Sequence, residues 1–166
     1  MVDLEELIVR DHAALERGIE TMSGWAPTRD QRVALDAMRL GFAAHAEAEA
    51  NVLQRVMTRV PGDHVASRML ARVLSAHSTQ EALLWRLASS VPNTVEWVQA
   101  LRELQGSFTG HHGDERLGML PLLRELLAAD EYERLAADYA TERLRALAMM
   151  SAVVARTRSR RRSAHI

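Results

Sequence analysis

A histidine followed four residues later by a glutamate recurs in each of the four segments that read as long helices. Because residues i and i+4 lie on the same face of a helix, one turn apart, the two side chains of a pair can reach one common neighbour. The four pairs are His12/Glu16, His45/Glu49, His77/Glu81 and His111/Glu115. The sequence therefore predicts four helices arranged around inward-facing His/Glu pairs.

The composition favours an all-α protein. The 166 residues include 8 glycines and 4 prolines, and the helix-favouring residues Ala, Leu, Arg and Glu are abundant. Short turns between long helices favour an up-down four-helix bundle with an additional C-terminal fifth helix. We expect the bundle over residues 1–128, the added helix packing on it over 129–155, and a basic, disordered tail over 156–166.

The same composition excludes several kinds of site. The chain has no cysteine, which excludes disulfides, thiolate catalysis and sulfur-ligated metals. Its 21 basic residues nearly balance 22 acidic ones, which argues against a protein that coats nucleic acid. No apolar run approaches the ~18 residues of a membrane span, and the acidic start at residues 1–6 is unlike a signal peptide. We expect a soluble cytoplasmic protein, monomeric or homodimeric, with no membrane partner.

Capping residues and turns set the expected helix boundaries. Asp3 is predicted to cap a first helix that ends near residue 22, and Thr28, with Gln31 as a capping-box partner, to open a second that ends near residue 59. A third helix follows the turn at residues 61–63 and ends near residue 89. Thr94 is predicted to cap the fourth, which Pro121 should kink. The fifth is expected over about 130–155, with the apolar residues Tyr132, Leu135, Tyr139, Leu144, Leu147 and Met150.

Charged pairs replace core residues on the apolar faces of these helices. The predicted face of the second helix is Leu35, Met38, Phe42, His45, Glu49, Val52 and Val56. That of the third is Leu70, Leu74, His77, Glu81, Leu84 and Ala88, and that of the fourth is Leu101, Leu104, Phe108, His111 and Glu115. An unpaired buried carboxylate costs several kcal/mol, and these faces contain no arginine. A buried metal cation is therefore predicted, and nitrogen and oxygen ligands suit iron, manganese or zinc.

The spacing of the histidines indicates an internal repeat. His12 and His45 are 33 residues apart, and His77 and His111 are 34 apart. His45 and His77 each lie about 14 residues from the turn that joins their helices, roughly 21 Å at 1.5 Å per residue. The ligands should therefore meet at one level of a pseudo-symmetric bundle.

The order of these residues resembles the H, HxxxE, H, HxxxE signature of the hemerythrin or HHE cation-binding family, over about residues 3–125. The matching residues are His12, His45-x-x-x-Glu49, His77 and His111-x-x-x-Glu115, with Pro121 closing the run. The resemblance implies a hemerythrin-like site of two iron ions joined by an oxo or hydroxo bridge, with manganese or zinc as alternatives. By that resemblance Glu49 and Glu115 bridge the ions, His12 and His45 bind one, and His77 and His111 bind the other.

One position departs from the oxygen-carrying hemerythrins, which have a histidine where this chain has Glu81. A helical wheel at 100° per residue places Glu81 about 45° from the centre of the apolar face, which makes it a candidate seventh ligand. Glu16 falls about 100° from the corresponding centre, so we expect it on a solvated flank. His64, His112 and His165 are not expected to bind metal.

Two classes of function follow from such a site. The first is an oxidoreductase that consumes O2 or H2O2, as a catalase-like or peroxidase-like activity or as a small-molecule oxidase, with no catalytic side chains beyond the metal ligands. The second is a module that binds or senses O2, NO or iron, or stores iron, without turnover. A metal-free helical bundle is the third interpretation. The expected pocket walls are Phe42, Leu74, Leu84 and Phe108.

Overall fold

The computed structural model describes residues 3–24 and 27–163, and these residues form helices and turns with no strand. This confirms the all-α prediction. The helices are α1 (Leu4–Ser23), α2 (Thr28–Arg59), α3 (His64–Ser89), α4 (Val95–Asp114), α5 (Leu120–Leu126) and α6 (Ala129–Ser163), with a π-helical turn at Glu115–Met119. Trp25 and Ala26, between the first two helices, and His165, which is not expected to bind metal, lie outside the described residues.

Side-chain caps begin three of the helices. Asp3 accepts a hydrogen bond from the backbone N–H of Glu5, Asp63 accepts from the second and third residues of α3, and Thr94 accepts from Trp97. Asp3 and Thr94 thus act as predicted. The capping box at the start of α2 is wrong, because α2 has no side-chain cap. Gln31 is instead fully buried, and its amide nitrogen donates to two carbonyl oxygens at the end of α1 and to Asn93.

The fourth helical segment continues through a π turn rather than stopping. Glu115 and Leu120, at the two ends of the π turn, both have right-handed helical backbone angles, so α4 and α5 form one uninterrupted path. Pro121 is the second residue of α5. A proline lacks the N–H of a helical hydrogen bond and crowds the carbonyl four residues earlier, which here belongs to Leu117 within the π turn. The predicted irregularity near Pro121 therefore takes the form of a wider helical turn.

The helices pack side by side into a bundle. α1 contacts α2 and α4, α3 contacts α2 and α4, and α6 contacts α2 and α1. Buried apolar side chains form two separate clusters. The first cluster contains Leu4, Leu7, Ile8, Ala48, Val52, Leu53, Val56, Val73, Met119, Leu120, Leu123, Leu127, Leu135, Ala136 and Tyr139. The second contains Leu15, Ile19, Met22, Leu35, Met38, Phe42, Leu83, Leu84, Leu87, Trp97, Ala100, Leu101, Leu104 and Phe108.

The fifth long helix, α6, differs from its prediction at both its face and its end. Leu135 and Tyr139 are buried against the bundle, as their apolar spacing suggests, but Leu144 is 65% exposed. The helix runs to Ser163, so the basic segment expected to be disordered is helical as far as that residue. Arginine has a high helix propensity, and α6 contains neither glycine nor proline to end it earlier. Within the described part of the chain, no helix combines the length and apolar character that crossing a bilayer requires.

Candidate metal centre

Six ionisable side chains from α1, α2, α3, α4 and the π turn meet between the two apolar clusters. α1 supplies His12, α2 supplies His45 and Glu49, α3 supplies His77, α4 supplies His111, and the π turn begins with Glu115. All six are at most 6% exposed. On each helix the apolar residues of one cluster precede these positions and those of the other cluster follow them. The charged layer therefore crosses the bundle at one level, as the sequence predicts.

The two glutamates each lie between histidines of different helices. One oxygen of Glu49, Oε2, is 3.6 Å from His45 Nε2 and 3.2 Å from His77 Nε2. The two oxygens of Glu115 face different partners: Oε1 is 2.7 Å from His111 Nε2 and Oε2 is 3.0 Å from His12 Nε2. Each carboxylate therefore spans the distance between two helices at the centre of the site.

The histidines form two close pairs. His12 Nε2 is 3.4 Å from His45 Nε2, and His77 Nε2 is 2.9 Å from His111 Nε2. Atoms from His45, Glu49, His77, His111 and Glu115 all lie within 4.8 Å of one another. His12 lies at the side of this group, against Glu115 and His45. Nitrogen and oxygen donors this close together can hold a metal ion.

The carboxylate oxygens of Glu49 and Glu115 have no hydrogen-bond donor in the described part of the chain, although all four atoms are buried. The imidazole nitrogens come within 2.7–3.6 Å of them, but not along directions in which an N–H donates. Two buried carboxylates without donors cost several kcal/mol each unless a cation neutralises them. The residues present therefore fit a metal ion, and no arginine within the described residues pairs with either glutamate.

Burial keeps two of the histidines neutral, as metal ligands must be. It lowers the pKa of His12 to about 4 and holds the pKa of His45 well below 6.5, against the opposing effect of Glu49. Burial also lowers the pKa of His111, but the neighbouring Glu115 carboxylate outweighs it and the net pKa is raised. The surroundings of the cluster therefore favour a proton on His111 over one on His12 or His45.

Glu81, the candidate seventh ligand, is not brought to the cluster, because its side chain is exposed. The buried face of α3 is rotated from the predicted one. Its buried positions are Ala66, Val73, His77, Gln80, Leu83, Leu84 and Leu87. Glu81 lies about 90° from the centre of that face at 100° per residue. Gln80 takes the inward position and donates to the backbone carbonyl of Ser107.

The same rotation changes one pocket wall. Leu74 is 43% exposed, so its assignment as a wall residue is wrong. Phe42, Leu84 and Phe108 are buried as expected. The Phe42 ring meets the His77 ring edge to face at 5.8 Å and the Phe108 ring at 5.9 Å. These aromatic rings exclude water from one side of the histidines.

The remaining histidines and Glu16 lie outside the ligand cluster. His64 is exposed at the start of α3. Glu16 is exposed as expected, and its Oε1 is 3.0 Å from Nδ1 of His112. The His112 ring stacks flat on His12, with ring centroids 3.5 Å apart. His112 therefore supports the ring of His12 from outside the cluster.

Sequence reasoning missed a buried network that reaches the site from α6. The hydroxyl of Tyr139 is 2.8 Å from His45 Nδ1 and donates to Asp11 Oδ2 at 2.7 Å. Arg143 Nε also donates to Asp11 Oδ2. Burial and the Asp11 carboxylate raise the pKa of Tyr139 far above 10. No periodicity links residue 139 to residue 45, and the one available signal was a tyrosine on the apolar face of the fifth helix.

Comparisons of the chain with protein-family models, with curated proteins and with solved structures found no match. A metal centre is therefore inferred from the geometry of the cluster and from the chemistry of its donors.

Proposed function

We propose that the chain is a hemerythrin-like, non-haem di-iron protein that reacts with O2 or H2O2. The observation that carries the proposal is the buried pair Glu49 and Glu115, whose four oxygens have no donor in the described chain and lie among four imidazole Nε2 atoms. Iron held there would supply redox chemistry with dioxygen or peroxide. The catalase-like or peroxidase-like and oxidase activities are the forms of turnover that this chemistry takes.

Two ions, rather than one, are supported by the way in which the glutamates span the histidine pairs. His12 and His45 form one Nε2 pair, and His77 and His111 form the other. Glu49 contacts one member of each pair, and so does Glu115. His12 with His45 would hold one ion and His77 with His111 the other, and Glu49 and Glu115 would supply carboxylate oxygens to both.

We also propose that α1 to α5 form an up-down four-helix bundle, with the π turn inside the fourth helix. Going along the chain, α1 passes from the first apolar cluster to the second, α2 passes back, α3 repeats the direction of α1, and the path through α4 and α5 repeats that of α2. The order in which the chain meets the two apolar clusters thus alternates from one helix to the next. This supports an antiparallel arrangement of successive helices.

The ligand count supports a reactive site. Since Glu81 is exposed, the proposed ligands are four imidazoles and two carboxylates for two ions, which is fewer than two iron ions coordinate. Coordination positions are therefore left for a small ligand such as O2, H2O2 or NO. Phe42, Phe108 and Leu84 would keep bulk water away from these coordination positions on the side where the histidines lie.

Aerobic loading with ferrous iron tests the proposal. The protein is titrated with Fe²⁺, desalted, and assayed for iron per chain, for its absorption spectrum and for consumption of H2O2 and of O2. We expect two irons per chain and repeated turnover of H2O2 or O2. Stoichiometric, reversible spectral change without turnover would favour the binding or sensing module instead, and failure to retain iron, manganese or zinc would refute the metal centre.

A further inference from the structure

The helix α6 lies outside the four helices that carry the ligands, yet it reaches the cluster through one side chain. Tyr139 is fully buried, and its hydroxyl oxygen lies between His45 Nδ1 at 2.8 Å and Asp11 Oδ2 at 2.7 Å. Its ring meets the His45 ring edge to face at 6.2 Å. His45 is therefore contacted on the side opposite to the ligand cluster.

The chemistry of these groups fixes the direction of each hydrogen bond. A carboxylate only accepts, so the single phenol hydrogen of Tyr139 goes to Asp11. The phenol oxygen then has lone pairs but no hydrogen to offer His45. The contact at 2.8 Å is satisfied only if His45 Nδ1 carries a hydrogen and donates it to Tyr139. A neutral imidazole with its hydrogen on Nδ1 has its lone pair on Nε2, the atom that faces Glu49 and His12.

Arg143 holds the far end of this chain of hydrogen bonds. It lies one turn after Tyr139 on α6, and its Nε donates to the same Asp11 oxygen that accepts from the phenol. The Asp11 side chain is 9% exposed and that of Arg143 is 28% exposed. Asp11 Oδ2 thus accepts two hydrogen bonds, one from the guanidinium and one from the phenol. The order of donation is therefore Arg143 to Asp11, Tyr139 to Asp11, and His45 to Tyr139.

We propose that Tyr139, with Asp11 and Arg143, is a positioning residue that fixes the Nδ1–H tautomer of His45 and presents its Nε2 lone pair to the metal site. The added helix is then a part of the centre and not only a cover over the bundle. That Tyr139 serves a metal site rests on the proposed function. The tautomer of His45, however, is a property of the metal-free protein as well. Partners of this kind typically change metal affinity by about 10–100-fold when they are removed.

The direct test is the tautomer of His45 in the metal-free, ¹⁵N-labelled full chain, read from long-range ¹H–¹⁵N correlations of the imidazole. We expect Nδ1 to carry the hydrogen in the wild type. In Tyr139→Phe, which removes only the hydroxyl, we expect the preference to be lost. A wild-type His45 with its hydrogen on Nε2 would overturn the proposal whether or not the protein binds iron, so its failure is distinct from failure of the di-iron assignment.

Tyr132→Phe is the matched control, because Tyr132 is the other tyrosine of α6 and packs against Arg124 rather than the cluster. We expect it to leave the His45 tautomer unchanged. A second readout is the affinity for Zn²⁺ alone, measured by competition with a chelator. We expect Tyr139→Phe to weaken it about 10–100-fold and Tyr132→Phe to leave it within about twofold. Equal zinc affinities in the wild type and Tyr139→Phe would overturn the proposal.

Asp11→Asn keeps the size of the side chain and tests the same hydrogen bonds from α1, with the sequence of α6 unchanged. Its amide can donate a hydrogen to the phenol oxygen, which allows Tyr139 to donate to His45 Nδ1 instead. We expect the His45 hydrogen to move toward Nε2 and the zinc affinity to fall in the same direction as in Tyr139→Phe. If Asp11→Asn folds with an unchanged tautomer and unchanged zinc affinity, the proposed relay is wrong.

Discussion

Four His/Glu pairs have the same spacing, but only two of them are buried at both residues. On α2 and α4 the pairs His45/Glu49 and His111/Glu115 lie wholly within the charged layer. On α1 and α3 the histidine is buried and the glutamate, Glu16 or Glu81, is exposed. The same motif therefore supplies two buried side chains to the cluster from one helical segment and one from the next.

The difference comes from the phase of each apolar face. The buried positions of a packed helix advance by alternating steps of three and four residues. After His45 both Ala48 and Glu49, three and four residues on, are buried, whereas after His77 Gln80 is buried and Glu81 is exposed. After His12 Leu15 is buried and Glu16 is exposed. A glutamate four residues after the histidine is therefore buried only where the buried face extends to that position.

Substituting the buried and the exposed glutamates tests this difference, and the largest expected effect is on metal retention. Glu49→Ala or Glu115→Ala should abolish stable iron binding, because each removes the carboxylate that contacts both histidine pairs. Glu81→Ala and Glu16→Ala should retain the wild-type iron content, because neither side chain faces the cluster. Iron per chain after desalting measures both. A Glu49→Ala or Glu115→Ala protein that keeps two irons would refute the bridging assignment.

The second expected effect is a change in the free energy of unfolding that has opposite signs in the metal-free and the iron-loaded protein. In the metal-free protein, Glu49→Gln should raise the free energy of unfolding by about 1–3 kcal/mol, since a neutral amide costs less to bury than an unpaired carboxylate. In the iron-loaded protein the same change should lower it. Urea unfolding with and without iron measures both values. Glu81→Gln is the matched exposed control, expected to stay within about 0.5 kcal/mol in both states, and a destabilised metal-free Glu49→Gln would contradict the buried-charge argument.

The buried histidines predict a pH dependence for the metal-free protein. The pKa of His12 is lowered to about 4 and that of His45 lies well below 6.5. Below pH 6.5 the unfolded chain therefore binds more protons than the folded protein, so stability falls as the pH falls toward 4. The raised pKa of His111 has the opposite sign and offsets part of the loss. We expect a net loss of about 1–2 kcal/mol between pH 7 and pH 5.

Urea unfolding at several pH values measures this loss. His12→Gln should reduce the pH dependence, whereas His64→Gln, a change at an exposed histidine, should leave it unchanged. A metal-free protein that is more stable at pH 5 than at pH 7 would show that the protonated form of the cluster is the preferred one.

The smallest expected effect is at Glu81. If residue 81 were a metal ligand, Glu81→His would replace an anionic ligand with a neutral one. It would then raise the redox potential of the metal and lengthen the lifetime of an oxygen adduct. Because Glu81 is exposed, we expect neither quantity to change beyond experimental error. Potentiometry and stopped-flow absorption measure them. A shifted potential would mean that α3 rotates by about one residue when metal binds.

Spacing and capping predicted much of the fold and the central cluster, because both depend on short-range periodicity. Asp3 and Thr94 begin their helices as expected, and the six residues matched to the family signature are brought together. The phase of α3 was missed because Leu74 is as apolar as Val73, so the pattern did not distinguish the buried position from the exposed one. The Tyr139 contact was missed because it joins positions 94 residues apart, which only the packing of α6 determines.

The charged layer between the two apolar clusters also has a consequence for how the molecule unfolds. Each half has its own set of packed side chains, and the layer between them is the least favourable part of the interior while its carboxylates lack a cation. Amide hydrogens in the two halves should then exchange with separate opening energies. An ion bound to all four helices would couple those openings. Metal loading would thus turn two weakly dependent units into a single cooperative one.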